Sequence, residues 1–180
     1  MKNLTIYGKI VLINCMEMVD MKTLIIYASK TGTTESCAKK LALQLRNAEL
    51  FDLQSGDPDI SEYDIIVIGG SIRAGMLHKA AKKYIKKNLE LLKSKKLAFY
   101  VCSADTERSG EYFKANIPAE LLTKAICSDS FGGEMDISKQ KGLSKLIVKK
   151  ALEESLKKGV QPPCILPERI NCFAEKLKTI

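Results

Sequence analysis

The stretch Leu24-Ile25-Ile26-Tyr27-Ala28-Ser29-Lys30-Thr31-Gly32-Thr33-Thr34 runs from unbroken apolar side chains into four hydroxyls gathered around one glycine, and then into a helical pattern. An apolar run with no polar alternation predicts a strand covered on both faces, as in a parallel sheet. The helix start beyond it offers unpaired backbone N–H groups and the positive end of the macrodipole. Ser29, Thr31, Thr33 and Thr34 add hydroxyls, and Gly32 lets the backbone come close to a ligand. Together these suit a phosphate monoester. The loop lacks the Lys-Ser/Thr ending of a nucleotide P-loop and the G-x-G-x-x-G of a dinucleotide turn, so a terminal phosphate fits better than a pyrophosphate. The plain alternative is a Ser/Thr-capped helix that binds nothing. A cap needs one or two hydroxyls, and this loop has four.

The same grammar repeats along the chain. Glu35 to Arg46 has helical periodicity, Glu49 to Leu53 reads as a short second strand, and Asp64-Ile65-Ile66-Val67-Ile68-Gly69-Gly70 as a third. A basic helix follows. Leu97 to Ser103 is the fourth strand, Tyr112 to Lys124 a helix with a turn near Pro118, and Ala125 to Phe131 a fifth strand. Beyond Gly132-Gly133, Leu143 to Lys158 reads as helix, Gln161-Pro162-Pro163 breaks it, and Pro167 to Leu177 closes the chain. Strands alternating with helices predict right-handed crossovers and a doubly wound α/β sheet. Ligands of such sheets sit beyond the carboxyl ends of the strands. The loops after Ala28, Gly69 and Cys102 are therefore the candidates.

A chain of 180 residues suits one domain with a core of its own. No run approaches the ~18 apolar residues of a membrane span. Six cysteines show no C-x-x-C pair or zinc spacing, which predicts reduced thiols, a cytoplasmic location and no metal site. Residues 1–20 read as an N-terminal extension or an upstream start before Met21, and they lack the pattern of a secretory signal. The net charge is +8, and eight lysines against one acid fall between Lys79 and Lys96. At about 100° per residue, Lys79, Lys82, Lys83, Lys86, Lys87 and Lys93 share an arc opposite Ala81, Tyr84, Ile85 and Leu92. That face is either a solvated surface or an attractor for acidic lipid headgroups or an acidic redox partner. Nucleic acid is excluded as the favoured partner, since no recognisable binding motif accompanies the lysines.

The second loop reads Gly69-Gly70-Ser71-Ile72-Arg73-Ala74-Gly75-Met76-Leu77-His78. Its paired glycines permit close packing of a flat ligand, and Arg73 offers a planar fork of donors. His78, the single histidine, reads as a helix-start residue and a weak candidate for substrate or quinone contact. A hydrolase elbow would need glycine where Arg73 stands. A phosphoacceptor domain would need an aspartate where Gly69-Gly70 ends the third strand. The third loop, Ser103-Ala104-Asp105-Thr106-Glu107-Arg108, is polar and carries no aromatic residue.

The spacing Ser29-x-Thr31-Gly32-x-Thr34 after a buried strand resembles the FMN-phosphate loop of flavodoxins. From Met21 onward the chain looks like a flavodoxin-domain protein, with a helical insertion at about 133–160. Ser71-Ile72-Arg73-x-Gly75-x-x-His78 and the lysine-rich segment after Gly132-Gly133 are similar to the menaquinone-dependent protoporphyrinogen dehydrogenases. The resemblance implies a five-stranded parallel sheet of order 2-1-3-4-5 and an FMN cofactor. It implies that Ser29, Lys30, Thr31, Gly32, Thr33 and Thr34 hold the phosphate. Gly70, Ser71, Ile72, Arg73 and Gly75, with Ser103, Ala104 and Asp105, would flank the ring. The implied activity is an FMN-dependent dehydrogenase that takes electrons from a porphyrinogen and passes them to a quinone or a redox protein at the inner face of the membrane. The alternative is a basic flavodoxin that shuttles electrons between protein partners. Flavodoxins often stack an aromatic residue on the flavin, and neither candidate loop here supplies one.

Overall fold

A computed structural model describes residues 21–134, 137–139, 142–157, 159 and 161–180. The extension expected over residues 1–20 lies outside the described residues. The strands are β1 (Thr23–Ala28), β2 (Ala48–Asp52), β3 (Ile65–Arg73), β4 (Met76–Leu77), β5 (Lys96–Cys102) and β6 (Ala125–Ser130). Helices α1 (Thr33–Ala42), α2 (Lys79–Lys87), α3 (Leu89–Lys93), α4 (Ser109–Asn116), α5 (Ala119–Leu122), α6 (Leu143–Lys157) and α7 (Pro167–Lys178) alternate with them.

Five strands form one parallel sheet of order β2-β1-β3-β5-β6, the expected doubly wound order once the short β4 is set aside. Side chains of a strand alternate between faces, and both faces here are apolar and covered. Leu24, Ile26, Ile66, Ile68, Phe99 and Val101 pack toward α2, α3, α4 and α5. Ile25, Val67, Ala98, Tyr100 and Cys102 pack toward α1 and α7. This double coverage is why the strands read as continuous apolar runs.

Three local features differ from the expected pattern. β3 does not stop at Gly70 but continues to Arg73, and the chain folds back as β4, with Ile72 opposite Leu77 and Arg73 opposite Met76. Ala74 and Gly75 make the turn at φ 47° and 78°, the two positive values a two-residue type I′ hairpin needs. The expected single basic helix breaks at Asn88, whose Nδ2 donates to the Tyr84 carbonyl at 3.0 Å, so Lys93 belongs to the separate α3. The turn expected near Pro118 is present and separates α4 from α5, but α4 starts at Ser109, ahead of the expected Tyr112.

The chain leaves the sheet at Gly132 and returns at Ile165, where the two pair in an antiparallel bridge. Gly132 is required there: a Cβ at its φ of 76° would stand 2.1 Å from the Cys164 carbonyl oxygen. Within this excursion α6 carries exposed Leu146, Ile147 and Leu156. Among the described residues no helix is long and apolar enough to cross a membrane.

Candidate functional site

Strands β1, β3 and β5 are neighbours, so the loops at their carboxyl ends come together at one edge of the sheet. In the first loop, Ser29, Thr33 and Thr34 are buried while Lys30 is exposed. Gly32 takes the N-cap position of α1 at φ 86°, and no side chain caps the helix. The hydroxyls are therefore present without serving as caps. Ser29 Oγ instead accepts from Gly32 N–H at 3.0 Å, which tightens the turn. The Ser29 carbonyl accepts from Gln54 Nε2 at 2.5 Å, a brace from beyond β2.

Thr34 is the most informative residue of the loop. Its side chain is fully buried, yet Oγ1 has no hydrogen bond of ordinary geometry in the protein. Its polar neighbour is the Cys102 thiol, a weak partner. An orphaned buried hydroxyl costs about 1–3 kcal/mol. It sits beside the first-turn N–H groups of α1, which by geometry lack intrahelical acceptors. Below it, Cys37 and Cys102 face one another; the shared hydrogen bond lowers the Cys37 pKa and raises that of Cys102 well above the ordinary thiol value.

The second loop is the β3–β4 hairpin rather than an open loop. Its glycines are occupied by protein: a Cβ at Gly69 would lie 2.0 Å from Tyr100 Cζ, and one at Gly70 would lie 2.6 Å from Leu77 Cδ1. Room for a flat ligand is thus not what these glycines provide, because the Tyr100 ring and Leu77 fill it. Ser71 Oγ is buried without a hydrogen-bond partner, as Thr34 Oγ1 is. Ile72 and Arg73 are half-buried.

Asn116, which sequence reasoning missed, holds this hairpin from α4. Its Oδ1 accepts from Leu77 N–H at 3.0 Å, and its Nδ2 donates to the Gly75 carbonyl at 2.8 Å and the Tyr112 carbonyl at 2.9 Å. These bonds offset the strain of Ala74 at positive φ. The available signal was only an amide at the end of an otherwise ordinary helix.

His78 is the N-cap of α2, and its Nδ1 accepts from Ala80 N–H at 3.3 Å. The ring proton therefore resides on Nε2. Burial first, then the Arg73 guanidinium, hold the imidazole below its ordinary pKa; Lys30 acts in the same direction and Asp52 against it. Arg73 of the second loop and Lys30 of the first thus both lie close enough to act on His78. A histidine kept neutral in the folded state gives stability that is complete above the unfolded pKa of about 6.5, and loses it as the pH falls from there toward the folded value. Urea titrations between pH 8 and 5 are expected to show this loss, and His78→Asn, which keeps a cap acceptor, to flatten it. An unchanged slope in that variant would assign the effect to other groups.

In the third loop Ser103 is buried, and its N–H donates to the Gly132 carbonyl at 2.9 Å. Ser103 Oγ accepts from Asp105 N–H, and Asp105 accepts from Tyr112 Oη at 3.4 Å. Ala104 is exposed. The third loop has no aromatic residue of its own, but Tyr112 reaches it from α4, with Arg108 over its ring. Among the described residues no cluster of metal-ligating side chains occurs, and Cys37, Cys102, Cys127, Cys164 and Cys172 are free thiols. A cavity of about 1010 Å³ opens at the far end of the strands, lined by Met21, Thr23, Tyr63, Lys96 and Leu177; none of the three loops borders it.

Compared with known families, residues 24–159 match the model of a flavodoxin domain. The chain belongs to the flavodoxin-domain family. Among curated relatives, this flavodoxin-domain protein is 36% identical over 85 residues to protoporphyrinogen IX dehydrogenase [quinone] of Escherichia coli K12, covering 44% of this chain and 47% of that one. An uncharacterised protein of Methanocaldococcus jannaschii is 33% identical over 108 residues, covering 59% of this chain and 69% of that one. The chain spans about half the length of the dehydrogenase it matches. Among solved structures, a Lactobacillus acidophilus flavoprotein in complex with FMN aligns with a TM-score of 0.49 at 19% identity, over 61% of this chain and 93% of that one. Megasphaera elsdenii flavodoxin aligns with a TM-score of 0.46 at 16% identity, over 60% of this chain and 84% of that one.

Proposed function

We propose that this flavodoxin-domain protein is an FMN-dependent oxidoreductase whose substrate is a porphyrinogen and whose acceptor is a quinone or a redox protein. The observation that carries the cofactor is the uncapped N-terminus of α1, lined by hydroxyls and holding the orphaned Thr34 Oγ1. The donor set fits a phosphate monoester: first-turn N–H groups, the Thr31, Thr33 and Thr34 hydroxyls, and the exposed Lys30 ammonium. Gly32 and Ser29 shape the turn that presents them. Ser71, Ile72, Arg73 and Gly75 from the hairpin, with the main chain of Gly70 and with Ser103, Ala104 and Asp105 from the third loop, would border the isoalloxazine. Bound there, FMN supplies a two-electron acceptor that is able to return electrons singly or in pairs.

The protein's own part is positional and electrostatic. Arg73, on the hairpin, is the residue whose positive charge would favour a reduced, anionic flavin. His78, neutral with Nε2–H as a donor, stands within reach of the same field and is the candidate for contact with a substrate or quinone. Tyr112 and Asp105 give the third loop a fixed polar wall. The porphyrinogen is suggested by the E. coli relative, and the net charge of +8 suits its propionates.

FMN-loaded protein is expected to oxidise protoporphyrinogen anaerobically and to reduce a menaquinone analogue in electron-equivalent amount, three two-electron quinone reductions for each six-electron porphyrinogen oxidation. Flavin bound without turnover would instead identify a basic flavodoxin that shuttles electrons between proteins.

A further inference from the structure

We propose that the exposed face of α2 is a docking surface for a redox protein whose electron-transfer centre is ringed by acidic residues. The inference rests on the FMN reading above and names the partner of that same site.

Lys79, Lys82, Lys83 and Lys86 are all exposed on α2, and none makes an ion pair among the described residues. The pairing that does occur lies at the far end of α2 and beyond it: Lys87 meets Asp57, and Lys93 on α3 meets Glu90 and Glu120. Uncompensated positive charge is thus concentrated toward the end of α2 that follows the hairpin. Helix N-termini favour acids, yet the first turn of α2 has none and begins with Lys79. A cation placed there opposes the helix macrodipole. Arg73 and Lys30 extend the same positive field across the mouth of the site, where it acts on His78.

The shape of the patch selects among anionic partners. From Lys79 to Lys86 the helix rises about 10 Å, more than the anionic group of a small substrate spans. A membrane-surface helix would present apolar side chains for insertion beside its lysines. Here Ala81, Tyr84 and Ile85 are consumed by the core. The apolar side chain left at the rim is Met76 on the hairpin, 53% exposed, an adaptable contact of the kind protein interfaces use. A basic rim with one methionine beside the redox site fits an acidic protein face, which it would steer as well as hold.

The test needs no identified partner. FMN-loaded protein, reduced with dithionite, is mixed with ferricyanide in a stopped-flow device. Two ferricyanide ions each take one electron from the reduced flavin, which releases its protons to solvent. The rate should fall as salt rises, whereas the rate with the cation hexaammineruthenium(III) should rise. In the quadruple variant K79Q/K82Q/K83Q/K86Q, the ferricyanide rate at low salt should drop about tenfold and both salt slopes should flatten. Calorimetry on the protein without flavin supplies a second reading: polyglutamate should bind wild type and not the quadruple variant. Unchanged salt slopes in the variant would overturn the proposal. So would lysine-dependent binding to phosphatidylglycerol vesicles with no binding of polyglutamate, which would make the face a membrane contact. If FMN fails to bind, the cofactor reading falls, while the polyglutamate arm still decides the surface.

Discussion

Gly69→Ala is expected to lower the melting temperature by about 6–12 °C. The new Cβ would be 2.0 Å from Tyr100 Cζ and 2.3 Å from its hydroxyl oxygen. Tyr100 has nowhere to retreat. It is 1% exposed, stacked on Phe131 at 4.6 Å between centroids, and Phe131 is itself wedged edge-on by Phe173. Its hydroxyl also donates to the Thr34 carbonyl at 3.1 Å, which ties β5 to the first turn of α1. Overpacking of this kind costs about 1–3 kcal/mol, and a lost buried hydrogen bond adds about 1 kcal/mol. A total near 3 kcal/mol, at roughly 2–4 °C per kcal/mol for a chain of this size, gives the stated shift. Thermal melts by circular dichroism measure it. The double variant Gly69→Ala/Tyr100→Leu should recover part of the loss by removing the ring; a double variant no better than the single one would refute the clash as the cause.

Thr34→Val separates binding from folding because the two should move in opposite directions. Valine keeps the shape of threonine and removes Oγ1, the buried hydroxyl that lacks an ordinary hydrogen bond. The flavin-free protein should therefore be as stable as wild type or up to about 1 kcal/mol more so. A hydrogen bond to a charged phosphate is worth about 1.5–3 kcal/mol, so FMN affinity should fall by roughly 10- to 100-fold. Fluorescence quenching on titration of FMN reads the affinity, and thermal melts without flavin read the stability. Equal FMN affinity in the two proteins would remove Thr34 from the phosphate site. A loss of stability matching the loss of affinity would make Thr34 a packing residue.

The sheet was legible because its physics is local. Leu24 to Ala28, Ile65 to Ile68 and Leu97 to Cys102 are apolar on both faces, and that alone requires covered parallel strands. The loop proposed to take the phosphate could be singled out for the same reason, since Ser29 to Thr34 are contiguous. What escaped was everything decided by a partner distant in sequence. The hairpin turn at Ala74-Gly75 lacks the usual Asn-Gly signal, and the amide that supports it, Asn116, lies 41 residues from Gly75. The glycines at 69 and 70 announce close approach without saying to what, and the answer is Tyr100 and Leu77. Asn88 ends α2 by bonding back to Tyr84, against a hydrophobic pattern that would have carried the helix on to Leu92. Tyr112 reaches the third loop from outside it. That the hydroxyls of the first loop do not cap α1 is a matter of rotamer and turn geometry, to which a list of residues is silent.

The Asn116 clamp belongs to a set. Gln54 holds the first loop by the Ser29 carbonyl, Asn116 holds the hairpin by Gly75 and Leu77, and Gly132 holds the third loop by Ser103 N–H. None of these braces is part of the proposed contact set except through the backbone it grips. The scaffold is in this sense external to the surface it supports, like formwork around a casting. Substitutions at Ile72, Arg73 or Ala104 should then leave the loops in their places. A lineage carrying this chain would be free to vary the surface at this mouth without rebuilding the fold beneath.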